Sequence, residues 1–304
     1  MREFELLQHI YRTAGGPSPQ VPIPPGDDMA MVAVGGRHVL AAVDQVVAGR
    51  HFDPGSTPPE LVGRKAVARC LSDVAAMAAR PVAVLAAVTL PPDYGQERAE
   101  ALFDGLRETS RRFGCPVVGG DIAFHADASA PLVCSVTVIA EPGPAGAVTR
   151  GGPRDGDVVY VTGSLGGSLE PGGGGRHLRF EPRIEEALAL AVSLRDRLHA
   201  MIDISDGLGR DAAHVAQRSG VQIRLEARRI PCAPGTDWRA AMCDGEDYEL
   251  CFTAAGEVPR RLGAVPVTAV GVVVERPGPG APLVLVDTGA ELVDGSQMGW
   301  EHRS

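Results

Sequence analysis

Acidic motifs, most of them framed by glycine or serine, recur along this chain: Gly26-Asp27-Asp28, Val43-Asp44, Leu71-Ser72-Asp73, Gly119-Gly120-Asp121 and Asp203-Ile204-Ser205-Asp206-Gly207. Most follow an apolar run that reads as a β-strand. A carboxylate at the end of a buried strand costs free energy unless something pairs with it. Several brought together would repel one another. A hard divalent cation resolves that conflict, because Mg²⁺ takes oxygen ligands and a few carboxylates. The adjoining glycines let backbone N–H groups approach phosphate oxygens. The plain alternative for any one motif is a turn or a helix cap, where Asp and Gly-Asp are common. Asp-Asp and Asp-x-Ser-Asp are more acidic than a turn requires, so the set points to a Mg-nucleotide site assembled from distant segments.

Composition narrows the setting. The 304 residues suffice for one large or two medium domains, and 44% hydrophobic with 22% charged residues fits a globular chain with a sizeable core. A net charge of −9 argues against a general nucleic-acid or anionic-membrane surface. No apolar run is long enough to span a bilayer, and the acidic start Met1-Arg2-Glu3-Phe4-Glu5 lacks a signal-peptide pattern, so the expected location is the cytoplasm. The six cysteines form no Cys-x-x-Cys pair and read as buried free thiols. Among 29 basic residues the only lysine is Lys65. Arginine cannot replace lysine where a compact ammonium is needed, which makes Lys65 a candidate site residue; chance survival is the competing reading.

Along the chain, helices are expected at 3–13, 58–79, 95–113, 183–200 and 206–219. Strands are expected at 38–44, 82–90, 115–121, 131–140, 157–162, 221–226, 248–253 and 267–274. Glu141 to Gly146 reads as a linker between domains 1–140 and 147–304, and Pro171 to Gly175 as a loop. This alternation gives an α+β or α/β layered fold. The phosphate-binding Gly-x-x-x-x-Gly-Lys-Ser/Thr and Gly-x-Gly-x-x-Gly loops are absent, as are a kinase His-Arg-Asp loop, a Gly-x-Ser-x-Gly elbow and zinc-like His spacing. What is left is electrostatic chemistry. Phosphoryl transfer needs positioning and charge neutralisation, and a phosphate acceptor is already ionised near pH 7, with a second pKa of about 6.

The motifs Gly26-Asp27-Asp28, Asp44 through His51-Phe52, Gly63-x-Lys65-Ala66 with Leu71-Ser72-Asp73, Gly119-Gly120-Asp121, Asp203-Ile204-Ser205-Asp206-Gly207-Leu208, Gly245-Glu246-Asp247-Tyr248-Glu249-Leu250 and Gly299-Trp300-Glu301-His302 occur in this order. Over nearly the whole chain this resembles the thiamine-monophosphate kinases of the aminoimidazole ribonucleotide synthetase-like superfamily. The resemblance implies a two-domain fold, with an N-terminal mixed sheet or half-barrel domain and a C-terminal α/β sandwich domain. It implies direct in-line transfer from ATP to thiamine monophosphate, several Mg²⁺ ions and a homodimer through the N-terminal domain. By the same resemblance Asp28, Asp44, Asp73, Asp121, Asp203 and Asp206 are metal ligands. Gly120, Asp121, Arg150 and Ser205 bind ATP, and His51, Glu246 and Trp300 bind the thiamine substrate. Trp300 suits stacking on a pyrimidine or a thiazolium cation; its alternative is a C-terminal core plug. Departures are Ala42-Val43 for hydroxyl residues, Cys70 for Asn, Arg303-Ser304 for a terminal Phe, and a short glycine run after Gly166 in place of a helix. A selenophosphate synthetase would need a Cys before Cys70, and a hydrogenase maturation factor a C-terminal Cys; neither is present. A non-catalytic nucleotide-binding relative would have lost a metal carboxylate, and none is lost.

Overall fold

The computed structural model describes residues 3–300. The Glu301-His302 part of the terminal motif and Arg303-Ser304 lie outside the described residues. Helix α1 spans Glu3–Thr13. Strands β1 (Ala30–Val34), β2 (Arg37–Val47), β3 (Ala79–Leu90), β4 (Val117–Phe124) and β5 (Val133–Pro142) form a five-stranded sheet in the order β1-β2-β5-β3-β4. Only the β3–β4 pair is parallel, so the sheet is mixed. Helices α2 (Pro59–Ala76) and α3 (Gln96–Arg112) cover one face. They approach closely because two glycines meet: a Cβ on Gly63 would sit 2.1 Å from the Leu102 carbonyl oxygen, and one on Gly105 2.0 Å from that of Glu60. The covered face carries Val84, Ala86, Val88, Cys134, Val136 and Val138, all buried, while the alternating residues Val43, Gln45 and Ala87 are exposed.

The second sheet uses β6 (Val158–Thr162), β7 (Leu198–Asp203), β8 (Val221–Glu226), β9 (Leu250–Ala254), β11 (Val265–Glu275), β12 (Val284–Asp287) and β13 (Leu292–Asp294), in the order β13-β12-β8-β11-β6-β9-β7. The short β10 (Arg261–Leu262) pairs with β11. Helices α4 (Ile184–Leu194), α5 (Leu208–Ser219) and α6 (Trp238–Cys243) accompany this sheet. The sheets divide the chain near residues 143–157, but the hydrophobic core does not divide there. One buried cluster runs from Val67, Leu71 and Leu106 through Leu190 and Leu194 to Met201 and Phe252, with α4 packed on α2.

One expected element is corrected. The helix read at 183–200 ends at Leu194, where Arg195 takes a left-handed φ of 51°, and β7 follows a single 3-10 turn. Strands β1, β7, β10, β12 and β13 and helix α6 were not foreseen.

Candidate functional site

Three carboxylates from distant segments meet in the space between the sheets. Asp28 follows the Pro/Gly-rich loop before β1, Asp73 lies on the buried side of α2, and Asp203 ends β7. One oxygen from each can be chosen so that all lie within 4.8 Å of one another. Burial and the charges of Asp44, Asp203 and Asp28 push Asp73 well above the usual carboxylate range. Asp203 is pushed up to about 7 by burial and Asp28, although the Ser72 hydroxyl donates to it at 2.6 Å. Arg150 supplies the nearby cation: its guanidinium grips Asp28 at 2.7 and 3.2 Å, and its backbone N–H donates to Asp27 at 2.6 Å. Asp44, on β2, is close enough to raise Asp73 and meets Arg69 at 3.3 Å. Three crowded carboxylates, with the proton affinity of Asp73 and Asp203 raised, are the donor set a hard cation requires.

Asp206 belongs to an adjoining group with Asp211 and His214. Asp211 accepts from the backbone N–H groups of Asp206 and Gly207, both at 3.1 Å, and so shapes the Asp-Ile-Ser-Asp-Gly turn. A cavity of about 230 Å³ opens beside this region, lined by Tyr11, Gly26, Arg150, His214 and Arg218.

A second cavity, of about 190 Å³, is lined by Arg50, His51, Arg69, Leu169, Ser205, Asp206, Asp244, Glu246, Tyr248 and Trp300. His51, Glu246 and Trp300, far apart in sequence, thus share one space, and Ser205 faces it too. The backbone N–H of Val47 donates to His51 Nδ1 at 3.0 Å, which leaves the ring proton on Nε2. Glu246 and Tyr248 sit at φ 56° and 51°, strained for side-chain-bearing residues and held by bonds from their N–H groups to the carbonyls of Ser205 and Ile204. The backbone N–H of Trp300 donates to the Asp206 carbonyl at 2.8 Å, and the residue's 49% exposure overturns the core-plug reading. Arg69 is largely buried, yet its Nη1 has no hydrogen-bond partner.

Lys65 is wholly buried behind this cavity. Its ammonium donates to the His51 carbonyl at 2.5 Å, approaches His177 Nδ1 at 2.8 Å and pairs with Glu246. Burial lowers Lys65 to about 8 against the pull of Glu246. Burial raises Glu246, but His177, Lys65 and Arg69 together bring it down to about 2.

Gly120 and Asp121 stand apart. Pairing sets Asp44 opposite Val136, Val136 opposite Ala86, and Ala86 opposite Gly120; Gln45, Ser135, Ala87 and Asp121 form the next row. Side chains of successive rows point to opposite faces, so Asp121 points away from Asp44. It is exposed on edge strand β4, outside both acidic groups of the described residues. Sequence reading passed over Asp27, Arg69, His177 and Asp211. Asp27 stood inside a quoted motif and His177 just after the Pro171–Gly175 loop, whereas Arg69 and Asp211 had no local signal.

Residues 26–141 match the family model for the N-terminal domain of AIR synthase related proteins. The chain is 35% identical to the thiamine-monophosphate kinase of Rhodopirellula baltica, covering 86% of each chain. It is 32% identical to that of Escherichia coli K12, covering 88% of this chain and 89% of the other. The solved structure of AaThiL complexed with AMPPCP and TMP superposes with a TM-score of 0.81 at 31% identity, covering 99% of this chain and 97% of that one. The two-sheet architecture is the AIR synthase-like α+β fold. At these identities over most of both chains, the chain belongs to the thiamine-monophosphate kinase family.

Proposed function

We propose that the protein transfers the γ-phosphoryl group of ATP directly, in line, to the phosphate of thiamine monophosphate, in the cytoplasm. One observation carries this: the Asp28–Asp73–Asp203 basin neighbours a cavity walled by His51, Glu246 and Trp300. Asp28, Asp73 and Asp203 would hold Mg²⁺, with Asp44 and Asp206 at the margins of the basin. Bound there, Mg²⁺ would neutralise charge on the phosphoryl oxygens and orient ATP against the acceptor phosphate. The Arg150 cavity, cationic through Arg150 and Arg218, suits the nucleotide phosphates. The indole of Trp300 offers its face to the thiamine rings, and Arg69, which lines the same cavity, adds positive charge near the acceptor phosphate. Because that acceptor is ionised near neutral pH, its oxygen attacks without a general base. Incubation with MgATP and thiamine monophosphate should give thiamine diphosphate and ADP; ATP consumption without thiamine diphosphate would refute the reading.

A homodimer through the N-terminal sheet is part of the proposal. Its support is apolar surface: Val43 is 63% exposed on the uncovered face, and Val118, Ile122 and Phe124 on β4 are 61%, 54% and 66% exposed. Assembly through this sheet gives the outlying Gly120 and Asp121 a route to a site. Equilibrium sedimentation checks it, and a monomer at assay concentration would refute it.

A further inference from the structure

We infer that Lys65 is a positioning residue that locks the two walls of the acceptor cavity together, and that His177 links it to the glycine-rich strap Pro171–Gly175, so that strap order and acceptor affinity are coupled. The inference rests on reading this cavity as the acceptor pocket.

Lys65 does not line the cavity. Its three ammonium protons meet three acceptors: the His51 carbonyl, His177 Nδ1 and the Glu246 carboxylate. His51 and Glu246 both line the cavity and are separated by most of the chain. One ammonium therefore ties the wall that follows β2 to the wall that precedes β9. A planar guanidinium cannot converge on three such acceptors in a space with no solvent exposure, which accounts for one lysine in a chain otherwise using arginine.

Accepting from Lys65 puts the His177 ring proton on Nε2, 3.3 Å from the Gly173 carbonyl. The same Nδ1 lies 3.1 Å from Glu246, an approach of two acceptors made tolerable by the shared ammonium. The strap is anchored a second time where Ser56 Oγ donates to the Gly172 carbonyl at 3.0 Å. Internally Glu170 N–H donates to Gly174 and Gly173 N–H to Glu170, at 2.9 and 3.1 Å. Leu169, just before it, is 48% exposed and lines the cavity. Loss of the His177 link frees the strap and the wall that Leu169 forms.

The first test needs no substrate. In protein with ¹⁵N-labelled histidine at neutral pH, His177 should show the Nε2–H tautomer; an Nδ1–H tautomer or an imidazolium overturns the link. The second uses His177→Ala and His177→Asn, since Asn keeps an acceptor near the Nδ1 position but cannot reach Gly173. Both should raise the KM for thiamine monophosphate about tenfold, with the KM for ATP little changed. Only His177→Asn should recover the melting temperature. Recovery of the acceptor KM by His177→Asn, or an equal rise in both KM values, overturns the coupling. Lys65→Met leaves Glu246 without its nearest counter-charge and risks misfolding, so Lys65→Met/Glu246→Gln is the folding-safe comparison. It should melt no lower than Lys65→Met and bind thiamine monophosphate about tenfold more weakly than Glu246→Gln alone by calorimetry; affinity equal to that of Glu246→Gln overturns the positioning role. If the wild-type chain has no affinity for thiamine monophosphate, the pocket reading fails, and the tautomer result alone decides the lysine–histidine link.

Discussion

The acidic basin and the Lys65 cluster are both buried arrays of charge, yet they are built on opposite rules. In the basin Asp73 and Asp203 face other carboxylates, and the protein's nearby cation, Arg150, is committed to Asp28. Around Lys65 each charge has an opposite partner: Lys65 meets Glu246, and Glu246 also faces Arg69. An array completed by the protein itself fixes geometry. An array left short of positive charge stores repulsion that a cation from solution relieves.

The sharpest break of that comparison is mutation of each array. Asp73→Asn or Asp203→Asn should lower turnover by about 10³-fold or more, through weaker metal binding and lost stabilisation of phosphoryl oxygens. In cation-free buffer either variant should melt higher than the parent, because a repelling carboxylate is gone. Steady-state kinetics and calorimetry in chelator check both halves; full activity would sink the metal assignment. Glu246→Gln should do the reverse to stability. It leaves the wholly buried Lys65 ammonium without its counter-charge, a loss of about 3 kcal/mol in urea unfolding.

The two arrays should also answer pH with opposite sign. Asp203 binds its proton more tightly folded, at about 7, than unfolded, near 3.8, so without metal its contribution falls as pH rises across that interval. Saturating Mg²⁺ should flatten that decline. Glu246 binds its proton less tightly folded, at about 2, than unfolded, near 4.5, so its contribution is lost as pH drops between those values. Melting curves from pH 2 to 8, with and without Mg²⁺, separate the two. The smallest effect belongs to Trp300→Ala. The indole is half exposed, so stability should barely change, while the KM for thiamine monophosphate rises several-fold for a stacking contact worth roughly 0.5–2 kcal/mol.

Of the converging acids only Asp203 ends a strand, while Asp28 follows a loop and Asp73 sits on α2; they were legible because small motifs this acidic have few reasons to be there. Asp28, Asp73 and Asp203 do converge, and His51, Glu246 and Trp300 do share a cavity. Asp121 shows where local reading stops. Its motif is as acidic as the others, but its direction depends on which row of β3 it pairs with, and that register is a tertiary fact. The segment 183–200 misled for a different reason. Its apolar pattern runs on without glycine or proline, and the break at Arg195 is a left-handed residue with no compositional warning. Arg69 and Asp211 were invisible because their importance lies in partners that only folding brings near.

Because Lys65 is the chain's single lysine and is wholly buried, the folded protein exposes no ε-amine among its described residues. Reagents that acylate amines should therefore leave Lys65 unmodified while the chain is folded. Acylation at Lys65 then becomes a clock for opening of the α2 region, read by mass spectrometry without any introduced label. The arginines that carry nearly all of the positive surface charge are likewise beyond the reach of lysine acetylation, so the electrostatics of this protein are insulated from a common modification.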